Sequence, residues 1–407
     1  MTPNELELVS WKEIASYLKV SVKTAQTWET QRGLPVRRLP GPRGQVRASV
    51  ADLDAWRGQD SPSDQPADPP PATSKRWRKR TIAIVAATVV AIALATASMR
   101  RPHSPSSARI EEHALVAFDA VGHELWRTPF SEAQNPLEVG SASRRRLWVG
   151  DLDGDGAAEI LFGSKAAAPT GHDALICFAA DGRERWRFLP GATVNSANYS
   201  YPPPYGIHTL DVTKIGGRTL IAVSSFQYPN APAQVALLDQ DGRLLGEYWH
   251  FGHLSQLLFA DLDHRGQTLL YLAGVSNRDH AATLVVLNPL LLRGKRQASN
   301  LPFSEIEVFQ ETRRVIFPRS RLNERVAGAP YNAVAELLPV SDGLRVDLQE
   351  RFLASSPTLM YTLDANLRLK SLQPSDQFIV EHGRLSPSPS AGTIEEEVAR
   401  LSNAYNH

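Results

Sequence analysis

The chain has 407 residues, 42% of them hydrophobic and 21% charged, with a formal net charge of +1. That length exceeds one ordinary domain, and a net charge near zero names no partner class because it averages over unlike regions. One cysteine, Cys177, excludes an intramolecular disulfide framework, and its place in "ALICFAA" predicts a buried strand residue.

The first predicted elements lie within "SWKEIASYLKVSVKTAQTWETQRGLPVRRLPGPRGQVRASVADLDAW". Ser10 with Glu13 forms a capping box, opening a helix with Trp11, Ile14, Ala15 and Leu18 on one face. Ser21 caps a second helix, with Val22, Ala25 and Trp28 inward; Gly33 suits its left-handed stop, and Pro35 prevents continuation. Two short strands around "GPRG" read as a wing, and Ser49 with Asp52 opens a third helix carrying Val50, Leu53 and Trp56.

Over residues 8–57 this order resembles the MerR/excisionase-type winged helix-turn-helix. The resemblance implies double-stranded DNA as partner, with Lys23, Thr24, Gln26, Thr27 and Thr30 on a recognition helix. Lys23 and Gln26 depart from the acidic residue and the arginine usual there, so no base preference carries over. Independently, Arg32, Arg37, Arg38, Arg43 and Arg47 form a basic run suited to phosphates. Gln26 and Thr27 could read base edges, at roughly 1–3 kcal/mol of discrimination per good bidentate contact. No heptad zipper follows, so a homodimer is expected only through other parts of the chain.

Residues 58–80 read as a Pro-rich spacer ending in a basic flank. Residues 81–99 carry no charge, and 19 residues of helix span roughly 28 Å, close to a bilayer core. Lys75, Arg76, Arg78, Lys79 and Arg80 before this run outnumber Arg100 and Arg101 after it. The expectation is one transmembrane helix in a lipid bilayer, with the N-terminus cytoplasmic and the C-terminus extracytoplasmic. A short linker, 100–109, follows.

From residue 110 to 385 short β-rich runs alternate with Asp-Gly turns. Asp151, Asp211 and Asp261 mark related segments at spacings of 60 and 50 residues, which predicts an all-β propeller of about five to six blades. The stretch from Ser304 to Asp376 fits this repeat less clearly. "DLDGDGAAEILFG" resembles the FG-GAP/VCBS repeat of integrin-like propellers. In it Asp151, Asp153, Asp155, the carbonyl of Ala157 and Glu159 offer hard oxygens for one calcium ion of structural role. "ALVAFDAVGHELWRT" also resembles the tryptophan repeats of PQQ-type propellers; no quinone cofactor is inferred. His250 and His253 lack an acidic or cysteine partner in sequence, and "NSANYSYPPPYGIH" is a rigid aromatic loop that could hold a ligand or pack. Residues 386–407 form a tail with one short helix.

The fold class expected is therefore multidomain: a small α/β winged helix-turn-helix, a single transmembrane α-helix and an all-β propeller. The expected function is a membrane-anchored one-component transcriptional regulator whose propeller senses an extracytoplasmic ligand or protein. The alternative is an adhesion or protein-interaction receptor whose winged helix docks a cytoplasmic protein. A propeller enzyme is a further alternative, but no phosphate loop, nucleophile elbow or paired catalytic carboxylates support it, and no catalytic residue is assigned.

Overall fold

A computed structural model describes residues 7–38, 46–58, 104–111, 113–130, 145–165, 172–227, 231–298, 303, 306–325, 331–350, 356–385 and 392–406. The chain divides into two compact units, Met1–Val90 and Ala91–His407. The fold is mostly β, with six short helices among the described residues.

In the first unit Ser10 accepts from the Glu13 amide at 3.2 Å, while Glu13 Oε2 accepts from the Val9 amide at 2.8 Å. This reciprocal pair starts α1 (Trp11–Tyr17). Lys19, at φ +56°, turns the chain into α2 (Val22–Arg32), whose Ser21 cap accepts from Thr24 N and which ends on left-handed Gly33. A three-stranded sheet follows, with Val46–Ser49 between Glu7–Leu8 and Arg37–Arg38, and then α3 (Val50–Gly58). Residues 39–45, the tip of the expected wing, lie outside the described residues. Ile14, Leu18, Leu34, Val46, Ala48 and Leu53 form the core. Each buried leucine or isoleucine there contributes roughly 1.5–3 kcal/mol.

The second unit is built from five sheets of three or more strands among the described residues. The first has three strands, Ser107–Glu111, Ala114–Phe118 and Glu124–Pro129. The second has four, Leu147–Gly150, Glu159–Ser164, Ala174–Phe178 and Glu184–Phe188. The third runs Tyr205–Ile215, Arg218–Gln227, Ala233–Leu238 and Leu244–His250, extended in parallel by Gly294–Gln297 and Glu307–Val308. The fourth joins Gly252–Ala260, Leu269–Ser276, Ala281–Leu287 and Arg313–Ile316. The fifth, Ala333–Val340, Gly343–Gln349, Thr358–Asp364 and Leu369–Pro374, orders the stretch whose repeat is weak in sequence.

Consecutive sheets stack face to face. One apolar cluster joins the first and second sheets, the next joins the second and third, and others join third to fourth and fourth to fifth. Strands covered on both faces lose the in-out alternation, so Ala174–Phe178 and Ala281–Leu287 are buried throughout. The stack is propeller-like, but no sheet closes on itself among the described residues, so the expected closed ring is not established. Helices α4 (Arg321–Glu324), α5 (Asp376–Gly383) and α6 (Ile394–Asn406) add Leu322, Phe378 and Leu401 to the last cluster.

The transmembrane expectation is corrected. Among the described residues no helix is long and apolar enough to cross a membrane, and residues 81–99 lie outside them. A single-pass topology, with its bilayer partner and its assignment of sides, is not supported. An apolar run specifies a span only if it forms one unbroken helix, and hydropathy alone does not supply that.

Candidate functional site

The first candidate is α2. It gives the core only Ala25, with Trp28 half-buried, so most of its surface faces solvent. Lys23, Gln26, Thr27 and Thr30 are all exposed, and their spacing of three, four and seven residues aligns them on one face. Thr24 is half-buried, its hydroxyl 2.7 Å from that of Ser21. Thr27 and Thr30 donate their hydroxyls back to the carbonyls of Lys23 (2.9 Å) and Thr27 (3.0 Å), which holds both side chains close to the helix.

The arginines differ from the sequence expectation. Arg38 binds Glu29 through Nε (3.1 Å) and Nη2 (2.8 Å), and Arg47 reaches Glu7 at 3.1 Å. The side-chain hydrogen bonds and charge of Glu29 hold the Arg38 guanidinium above its ordinary pKa. Arg32 lies over the rings of Trp28 (5.4 Å) and Trp56 (5.6 Å), whose indole N–H donates to the Arg32 carbonyl. Two arginines of the basic run are therefore matched by carboxylates from neighbouring elements. Glu29 lies on α2 and Arg38 on the strand that follows, and the Glu7–Arg47 pairing required the sheet. Arg37 is exposed, and Arg43 lies outside the described residues.

The second candidate is the hairpin between the first two strands of the second sheet. Asp151 accepts from the amides of Gly154 (2.6 Å) and Gly156 (3.1 Å), Asp153 from Asp155 N (3.2 Å), and Asp155 from Ala157 N (2.7 Å). Gly154 and Gly156 both sit at φ +87°, where a side chain is strained. Glu159 Oε2 accepts from Leu152 N at 3.0 Å, and Ser104 Oγ accepts from Ala158 N at 2.6 Å. Carboxylate oxygens of Asp151, Asp153 and Glu159 lie within 4.8 Å of one another. Hard oxygens at that separation fit a calcium ion, and Asp155, Ala157 and Glu159 also line the adjoining cavity of about 360 Å³. Burial raises the Glu159 carboxyl above its ordinary pKa, the Leu152 amide opposes this, and Asp153 adds to it.

Sequence reasoning missed Arg185. Its Nη1 lies 2.8 Å from Asp153 Oδ2 and 2.9 Å from Glu159 Oε1. It is distant in sequence from the loop, and only strand pairing brings it there. The related loop at Asp261 keeps the same turn, Gly266 N donating to Asp261 Oδ2 at 2.7 Å, without the later acids. Asp211 instead accepts from Phe259 N at 2.8 Å on the fourth sheet.

His250 is buried with Nε2 3.1 Å from the Val275 carbonyl, and burial lowers its pKa to about 4. His253 packs on Phe226 at 4.5 Å. In the aromatic loop, Tyr205 packs edge-on against Trp249 and Tyr201 against Phe303, while Tyr199 remains 69% exposed.

No family model matches the chain, and no curated protein matches it. Among solved structures it is similar to the C-terminal domain of Pseudomonas aeruginosa PilY1, at 15% identity and a TM-score of 0.38, over 63% of this chain and 56% of that one. The Dos1 propeller matches at 11% identity and 0.32, over 67% and 63%. BBS1N in complex with ARL6DN matches at 11% and 0.28, over 68% and 85%. The PilY1 domain is thus matched over little more than half its length. At these values the likeness says nothing of function.

These findings correct the family assignments made from sequence. Neither the MerR/excisionase-type winged helix-turn-helix nor the FG-GAP/VCBS repeat is upheld as a family. No family model supports either one, and the described residues of the chain are mostly β. Short motifs of caps, turns and acids recur wherever the same local geometry is needed, so they describe turns better than ancestry.

Proposed function

We propose that the N-terminal unit binds double-stranded DNA through α2, and that the propeller-like unit binds a protein partner. One observation carries the first part: Lys23, Gln26, Thr27 and Thr30 form an exposed polar stripe on a capped helix that contributes a single fully buried residue, Ala25. A helix so presented suits a major groove, with Gln26 able to read a base edge and Lys23 and Arg37 able to meet phosphates. The exposed Tyr199 beside Tyr201 supports a protein-binding role for the second unit, since exposed aromatics favour interfaces. The acidic loop suits a structural calcium ion.

The test is fluorescence anisotropy of the whole chain on a random-sequence duplex across a salt series. Lys23→Ala with Arg37→Ala should weaken binding and reduce the salt slope by roughly two, about 0.9 for each lost phosphate contact. Absence of binding at every salt concentration overturns the DNA reading. For the second unit, a photocrosslinker at position 199 should capture a partner that one at Val121, 76% exposed, does not. Equal capture from both overturns that part.

A further inference from the structure

The acidic hairpin already contains a positive charge supplied by its own sheet. The last antiparallel strands of the first, second, third and fifth sheets each carry a β-bulge, and the extra residues are Leu125, Arg185, Leu245 and Lys370. A bulge re-aims one side chain out of the strand's alternation. In the second sheet it aims Arg185 at Asp153 and Glu159, in the hairpin joining that sheet's first two strands. In the fifth sheet Lys370 meets Asp342, in the corresponding hairpin. The third sheet turns there through Gly216 and Gly217, with no acid, and its bulged residue is Leu245. The first sheet has three strands, the first two paired as far as Glu111 and Ala114, and its bulged residue is Leu125. In the second and fifth sheets, then, a base occupies the bulge and meets an acid of the hairpin between the first two strands.

We propose that Arg185 is the resident counter-ion of the Asp151–Glu159 hairpin and competes with calcium for it, so that the ion enters only as the guanidinium leaves. The inference rests on the calcium reading above. Asp153 Oδ1 accepts from Asp155 N and Glu159 Oε2 from Leu152 N, so an incoming calcium ion would turn to Oδ2 and Oε1, the atoms the guanidinium holds, where two positive charges repel. Glu159 is almost fully buried, so its carboxylate has little water to screen it when neither cation is present. The hairpin therefore has an arginine-closed and a calcium-closed state.

Isothermal titration of the whole chain with calcium chloride tests this, using the natural protein, Arg185→Leu and Arg185→Lys. The leucine variant should bind calcium at least roughly tenfold more tightly than the natural protein, and the lysine variant should stay close to it. In calcium-free buffer Arg185→Leu should melt at a lower temperature and regain the difference when calcium is added. Arg185→Gln, which keeps polar contacts without the charge, replaces the leucine variant if that fails to fold. Equal calcium affinity with and without the Arg185 charge overturns the competition and leaves the calcium reading standing. No binding by any folded variant overturns the calcium reading and the competition with it.

Discussion

The indole N–H of Trp126 donates to the Ala180 carbonyl at 2.9 Å, and the ring covers Gly182 on the next sheet. Trp186 repeats the contact one sheet on, donating to the Gln240 carbonyl at 2.9 Å and covering Gly242. The third position of the series is Gly246, where the Leu292 and Arg293 backbone approaches instead and the strand gains parallel partners. Two tryptophans thus lock three sheets in register, and a glycine ends the series where the third sheet widens.

Gly182→Ala and Gly122→Ala separate this docking from simple backbone strain. Both glycines have positive φ, +85° and +88°. A Cβ at Gly122 meets nothing within 4 Å, whereas one at Gly182 lies 2.8 Å from the Trp126 ring. Gly122→Ala should cost about 1–2 kcal/mol, and Gly182→Ala about 3 kcal/mol or more, in urea denaturation. Equal losses would show that the seam does not depend on the tryptophan.

Cys177 sits fully buried in the middle of a central strand, and burial pushes its thiol up to about 12. The thiolate is the reactive form, so a disulfide-exchange reagent should leave the native protein unmodified at pH 8 and label it fully in denaturant. Rapid labelling of folded protein would contradict the strand's burial.

Glu350 is fully buried, accepting from Ser320 Oγ at 2.6 Å and Asn332 Nδ2 at 3.3 Å. Burial raises its carboxyl to about 7, Glu397 adds to the rise, and these hydrogen bonds oppose it. The folded state therefore holds a proton that the unfolded chain releases near its ordinary value of 4.5. Stability from this group is complete below that value and is lost as pH rises through 7. Glu350→Gln should be more stable than the natural protein at pH 8, on the order of 2 kcal/mol, with no gain at pH 4. Urea midpoints across that range check it; a constant difference would refute the linkage.

The Glu29–Arg38 pair competes with any phosphate that Arg38 could meet. If α2 binds DNA, Glu29→Gln should tighten binding by up to about fivefold, because an exposed pair is weak and easily exchanged for a phosphate. The salt slope should steepen by about 0.9, one additional phosphate contact. Unchanged affinity and slope would place Arg38 outside the interface.

Much of the local structure was legible in advance. Ser10 and Ser21 cap helices, Gly33 stops one, and Cys177 is buried, because each depends on neighbours within a few residues. The acidic hairpin forms its turn as its spacing suggests, since Asp151 needs only amides three and five residues ahead. Arg185 was not legible, for its role depends on a bulge and on pairing across the whole sheet. The pairing of Arg47 with Glu7 was hidden for the same reason, and the fifth sheet was obscure because its last turn carries Leu367, at φ +59°, where Gly122, Gly182 and Gly242 stand in the earlier sheets.

Sequence alone determined where the first two helices begin and that glycine serves the turns at Gly33, Gly154 and Gly156, since short-range sterics and hydrogen bonds suffice for these. The tertiary structure decided which charges meet, how sheets stack, and where the tryptophan series stops. Those outcomes depend on side chains tens of residues apart that approach only after strands pair, and no local pattern encodes that distance.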